Sequence, residues 1–153
     1  MSNFVYDKRP TIGTKDVPGE SWDMYILRTL KEERSKKMSW GYHLTVDCKS
    51  CNRDKIKNAD NIRNFAKALV KNIDMVAYGE PQVVHFGSED KTGYTLVQLI
   101  ETSNICAHFC DDSGDSYFDV FSCKPFANDI VVDTIKEYFE PEEEKANFFN
   151  RQA

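Results

Sequence analysis

Between residues 82 and 123 the chain passes through four β-rich runs in close succession, "QVVHF" (82–86), "YTLVQLIE" (94–101), "ICAHF" (105–109) and "YFDVFSC" (117–123). The breaks between them, 87–93, 102–104 and 110–116, are rich in Gly, Ser, Asn and Asp. A parallel connection needs a crossover of about a dozen residues or more, and these breaks are too short for one. The runs therefore predict successive hairpins and an antiparallel sheet. A further alternating run, "YHLTVDCK" (42–49), predicts another strand.

Two segments have helical spacing instead. Over 58–73, Ile62, Phe65, Ala66, Leu69, Val70 and Ile73 recur on one face. Near the other end, Asn128 or Asp129 is expected to cap a helix carrying Ile130, Val131, Ile135, Tyr138 and Phe139. Each has a single apolar stripe and must bury it on one face of the sheet. The order β, α, β, β, β, β, α then predicts an α+β fold, a two-layer sandwich of antiparallel sheet packed with helices. Ahead of it, residues 1–20 read as an irregular arm with Pro10, Gly13, Pro18 and Gly19. Residues 21–38 read as a helix capped by Ser21 or Asp23. The organisation expected is an N-terminal arm and helix over 1–40, one domain over 41–140, and a polar, solvated C-terminal tail over 141–153.

Composition narrows the function classes. A net charge of −5 with 29% charged residues lacks the basic balance of a general nucleic-acid binder. No apolar run approaches the roughly 18–20 residues of a membrane span, and "MSNFVYDKRPTIG" has no signal-like apolar stretch, so a cytoplasmic protein is expected. Five cysteines, Cys48, Cys51, Cys106, Cys110 and Cys123, are an odd number and read as reduced thiols. Cys48-x-x-Cys51 closes a strand and lacks a second pair at knuckle spacing, so it is expected to be structural and no metal is predicted. His43 and His85 lie within strands and are expected as hydrogen-bonded structural residues. Asp111, Asp112 and Asp115 lack the Gly and Glu register of a calcium loop and read as solvated turn residues.

Ser103 stands out because His108 and Cys123 fall on adjoining strands. No Gly flanks it and a strand follows, so it is not the nucleophile of a hydrolase elbow. On pattern alone it is a turn with a suggestion of Ser/His chemistry.

The spelling carries more. "GYHLTVDC" at 41–48, "GYTLVQLIETSNICAHF" at 93–109 and "YFDVFSC" at 117–123 resemble the bacterial-type S-adenosylmethionine decarboxylases, over about 41–139. The "ETSNI" spelling is also similar to phage-borne homologues, for which the location would be the host cytoplasm. The resemblance implies self-processing between Thr102 and Ser103. Ser103 would attack the Thr102 carbonyl, the amide would become an ester, and β-elimination would leave a pyruvoyl group derived from Ser103. It gives Thr95 the oxyanion, His108 the base for the α-proton, and Cys123 the acid that reprotonates the product carbon. The pyruvoyl would form a Schiff base with the substrate amine, and Glu101 and Asp112 would contribute to substrate binding. A small sandwich, usually a homodimer of processed chains, and a role in spermidine biosynthesis are also implied. Departures are visible. Thr102 stands where the family commonly has Glu, with Glu101 one residue earlier. Phe109, Cys110, Asp111 and Asp112 replace Thr-(Trp/Tyr)-Pro-Glu, and 87–93 lacks Pro-Tyr-Gly. Ornithine or arginine decarboxylation, or a non-enzymatic homologue binding a partner or nucleoside, stay open as alternatives.

Overall fold

The computed structural model describes Gly19, residues 21–37 and residues 39–153. The chain divides into two compact units, Met1–Met38 and Ser39–Ala153. In the first, α1 spans Trp22–Lys37, and Ser21 Oγ accepts from the Met24 N–H at 3.3 Å, the capping expected of it. The irregular arm expected over 1–20 lies almost wholly outside the described residues. No helix among the described residues is long and apolar enough to cross a membrane.

In the second unit the order is β1 (Gly41–Lys49), α2 (Arg53–Ile56), α3 (Ala59–Asn72), β2 (Gln82–Phe86), β3 (Gly93–Ile100), β4 (Ser103–Phe109), β5 (Ser116–Ser122), α4 (Asn128–Phe139) and β6 (Glu143–Arg151). The sheet runs β2-β3-β4-β5-β1-β6 with antiparallel neighbours throughout. The meander β2 to β5 is the part that short breaks dictate. The two helical excursions put β1 between β5 and β6.

Alternation sorts each strand into two faces. Leu44 and Val46, Leu96, Ile105 and Ala107, and Phe118 and Val120 point to one side, where α3 supplies Ile62, Phe65 and Leu69 and α4 supplies Val131, Ile135 and Phe139. Phe139 is fully buried, with its ring centroid 4.9 Å from Phe65, 5.0 Å from Phe109 and 5.5 Å from Phe118. It joins both helices' layer to the sheet, so Phe139→Ala is expected to cost about 3–5 kcal/mol, read as a lowered urea midpoint. Gln98 is buried among these residues, and its amide donates to the Gly79 carbonyl at 3.2 Å and the Leu99 carbonyl at 2.7 Å. That satisfies its N–H groups and ties the loop before β2 to β3.

Two expectations are corrected and one element is added. Residues 141–153 are not a solvated tail: Glu143–Arg151 pair with β1 from Lys49↔Glu143 to Gly41↔Arg151. The segment is almost wholly exposed, so it has no buried face to create an alternating pattern. Backbone hydrogen bonds hold it, aided by Lys49–Glu143 at 3.1 Å and the Lys136–Glu144 pair. Neither Asn128 nor Asp129 caps α4. The N-cap is Ala127, and the Asp129 carboxylate accepts from the Ile130 N–H instead. The segment after Cys51 holds a short helix, α2, capped by Asn52.

Candidate active site

The sheet face away from α3 and α4 carries Thr95, His108, Cys106 and His43 among the residues singled out by pattern. Cross-strand register arranges them in rows: Val84, Thr95, His108, Tyr117 and Asp47 in one, and Val97, Cys106, Asp119 and Thr45 in the next. A third row holds Leu99, Asn104, Phe121, His43 and Phe149.

Ser103 opens β4 directly after the two-residue turn Glu101–Thr102. Its φ is +149°, a conformation that non-glycine residues rarely adopt and that costs about 1–3 kcal/mol. Register places it opposite Ser122. The Thr102 carbonyl, one bond away, accepts from the Cys123 N–H at 2.9 Å. Cys123 is the exposed cysteine of the five. Ser103, Thr102 and Cys123 thus form one cluster at one end of the sheet, which the β4–β5 register creates.

Thr95 and His108 form another. Thr95 Oγ1 and His108 Nδ1 are 3.2 Å apart on paired strands, an arrangement that orients the imidazole. His108 lies five residues along β4 from Ser103, and at about 3.3 Å per residue the two are roughly 16 Å apart. Proton transfer needs contact or a single bridging water, so within one chain Thr95 and His108 are not in reach of the Thr102–Ser103 bond. Glu101 is exposed in the turn, its N–H donating to the Val76 carbonyl at 2.9 Å. Asp112 is exposed in the β4–β5 connection, where its backbone carbonyl accepts from Arg53 at 2.6 Å, and it joins neither cluster. Its neighbour Asp111 is the carboxylate held against a strand residue, 2.8 Å from His85 Nε2.

One constellation on this face had no signature in the linear pattern. His43 Nε2 lies 2.9 Å from Asp119 Oδ1, and Arg151 Nη1 donates to His43 Nδ1 at 3.1 Å. Arginine only donates, so Nδ1 accepts and Nε2–H donates to Asp119. The Arg151 guanidinium also sits over the Phe121 ring at 5.7 Å, and Trp40 is 6.0 Å from that ring. A cleft of about 420 Å³ opens here, lined by Trp40, Phe121, Arg151, Gln152 and Ala153. Phe121, which lines the cleft, is paired with Asn104, the residue after Ser103. At the centre of the face, burial and then the nearby Asp119 carboxylate push the Cys106 thiol up. On the helix side, Cys48 and Cys51 are buried and hydrogen-bonded to each other, which holds the Cys48 thiol well above its usual range. Among the described residues no group of three or more His, Cys, Asp or Glu could hold a metal ion.

Comparison with known proteins bears on what this face does. A family model described as S-adenosylmethionine decarboxylase matches residues 42–152. The S-adenosylmethionine decarboxylase proenzyme of Thermococcus kodakarensis is 30% identical over 100 residues, 65% of this chain and 67% of that protein. The proenzyme of Clostridium botulinum (strain Langeland) is 28% identical over 98 residues, 63% and 81% of the two chains. The crystal structure of the adenosylmethionine decarboxylase from Aquifex aeolicus superposes with a TM-score of 0.64 at 22% identity, over 75% of this chain and 92% of that one. At that identity the likeness is one of fold.

Proposed function

The chain belongs to the S-adenosylmethionine decarboxylase family, and from that premise we propose that it cleaves itself at Thr102–Ser103 and then decarboxylates S-adenosylmethionine. The observation that carries the reading is the strained Ser103, at φ +149°, beside a Thr102 carbonyl already bonded to the Cys123 N–H. Such a turn holds a hydroxyl-bearing residue against its own preceding carbonyl, and relief of strain favours leaving the amide. When Ser103 Oγ bonds to the Thr102 carbon, negative charge develops on the carbonyl oxygen, where the Cys123 N–H already donates. The hydroxyl proton passes to the departing amide nitrogen, and the product is an ester with a free amine on Ser103. A base then takes the Ser103 α-proton, the Cβ–O ester bond breaks to release the Thr102 carboxylate, and the chain parts into residues 1–102 and 103–153. The dehydroalanine left at 103 tautomerises to an imine, and water hydrolyses it to the pyruvoyl carbonyl with loss of ammonia. His108, oriented by Thr95, is the base in this reading.

The residues around Ser103 fit a pyruvoyl group formed there, because the covalent anchor, the strained backbone and the exposed Cys123 thiol lie together. Once formed, that group supplies a carbonyl that takes the substrate's amine and draws electrons from the decarboxylating carbon. Cys123, exposed and bonded through its N–H to the Thr102 carbonyl, is in this reading the acid that returns a proton to the product carbon. The aromatic-walled cleft of about 420 Å³ at Phe121, whose strand partner Asn104 follows Ser103, is of a size for a small-molecule substrate and favours one carrying a nucleobase.

The roughly 16 Å between Ser103 and His108 makes a second chain part of the reading. The midpoint between the two residues falls near Cys106. A two-fold axis there maps one end of β4 onto the other, so a homodimer packed through this face brings His108 and Thr95 of each chain to Ser103 of its partner. Exposed apolar side chains on the same face, Val84, Phe86, Leu99 and Phe149, support its being covered. The product, an aminopropyl donor, places the activity in spermidine biosynthesis, in the cytoplasm. Release of labelled CO₂ is expected from carboxyl-labelled S-adenosylmethionine and not from ornithine or arginine. A fully cleaved enzyme that releases none from S-adenosylmethionine refutes the substrate assignment.

A further inference from the structure

Thr102 contributes the carbonyl that Ser103 attacks, and its side chain is held on both sides. Ser122 Oγ donates to Thr102 Oγ1 at 2.9 Å, and Thr102 Oγ1 donates onward to Met75 Sδ at 3.2 Å. Ser122 itself is fully buried, and its oxygen accepts from the Lys124 N–H at 3.0 Å. The chain therefore grips the residue before the scissile bond by its hydroxyl and, through Cys123 just after β5, by its carbonyl.

We propose that Ser122 is the positioning residue of self-cleavage: its hydroxyl holds Thr102 so that the carbonyl stays on the Cys123 N–H while Ser103 attacks. The proposal deepens the processing reading and rests on it. Ser122 touches neither reacting atom. It acts through Thr102, whose carbonyl must keep one orientation as its carbon becomes tetrahedral and negative charge gathers on its oxygen. Without the hydroxyl contact, Thr102 keeps only the Met75 Sδ contact on its side chain, and its carbonyl is held less firmly on the Cys123 N–H that must stabilise the oxyanion. The grip also explains how a Thr can serve at this position: its hydroxyl bonds to the partner strand.

The test is a time course of fragment formation, by intact mass, on purified chains after refolding from denaturant. Ser122→Ala is expected to slow cleavage at least tenfold, and Ser122→Thr, which keeps the hydroxyl, to restore it. Thr102→Val, which keeps the branched shape but loses the hydroxyl, should slow cleavage comparably. The double variant should be no slower than either single one, because both remove the same bond. Hydroxylamine, which cuts the ester, supplies a readout that a merely structural role does not move. Ser122→Ala should resist it, since the defect lies before the ester forms. Native-rate cleavage by Ser122→Ala, or an ester that builds up in it and is released by hydroxylamine, overturns the proposal. If the unmodified chain yields no fragments at all, the processing reading falls and this one with it. If only the variants behave as the unmodified chain does, this one falls alone.

Discussion

Ser103→Ala is expected to leave one folded, uncleaved chain of 17.7 kDa, where the unmodified protein yields fragments that meet between Thr102 and Ser103. The substitution removes one oxygen and keeps Cβ, so the backbone at φ +149° is as strained as before. The strain of about 1–3 kcal/mol raises the amide's energy, yet with no hydroxyl there is nothing to form the ester. Thermal stability should change little, because the β4–β5 pairing and the Cys123 N–H bond to the Thr102 carbonyl involve backbone. Intact mass after long incubation, with a melting curve as the folding control, reads the result. Fragments at this junction from Ser103→Ala would refute the site.

The second large effect comes from separating the two clusters onto different chains. His108→Ala alone is expected to stop at the uncleaved or ester stage, and Ser103→Ala alone cannot begin. Co-expressed, the two variants are expected to form mixed dimers in which one of the two sites is whole: Ser103 from the His108→Ala chain and His108 from the Ser103→Ala chain. The His108→Ala chain should then be cut, in up to half of its copies if subunits pair at random, while the Ser103→Ala chain stays intact. A tag of different mass on each chain identifies which one yields fragments. The prediction follows from the spacing along β4, since catalysis by a group roughly 16 Å away in the same chain would need β4 to bend back on itself. Absence of fragments from the mixture, with mixed dimers demonstrably present, would show that the two clusters do not meet in this way.

Much of the fold was legible because local patterns and short connections leave few choices. The helix expected over 58–73 spans Ala59–Asn72, with Asn58 Oδ1 accepting from the N–H groups of Asp60 and Asn61. The strands from Gln82 to Ser122 fall within a residue or two of their apolar runs. Hairpin breaks too short for a crossover made these strands antiparallel neighbours. What failed was β6, whose charged, exposed residues look the same in a strand as in a tail. That omission hid Arg151, and with it the His43–Asp119–Arg151 chain and one wall of the cleft, because only pairing with β1 brings Arg151 to His43.

The candidate site divides along the same line. Residue types and spacing along one stretch, from Thr95 through Ser103 and His108 to Cys123, were enough to nominate the groups and the family they resemble. Distances between them were not, since residues five apart on a strand and residues twenty apart on neighbouring strands can be far or near only according to register. The sheet brought the Thr102 carbonyl to the Cys123 N–H and its hydroxyl to Ser122, and held His108 at the other end with Thr95. Sequence by itself determined the strands from β1 to β5 and nominated the groups they carry, because side-chain patterning and turn length act locally. Tertiary structure decided which of those groups meet, because backbone hydrogen bonding across strands sets register over separations that no local preference can span.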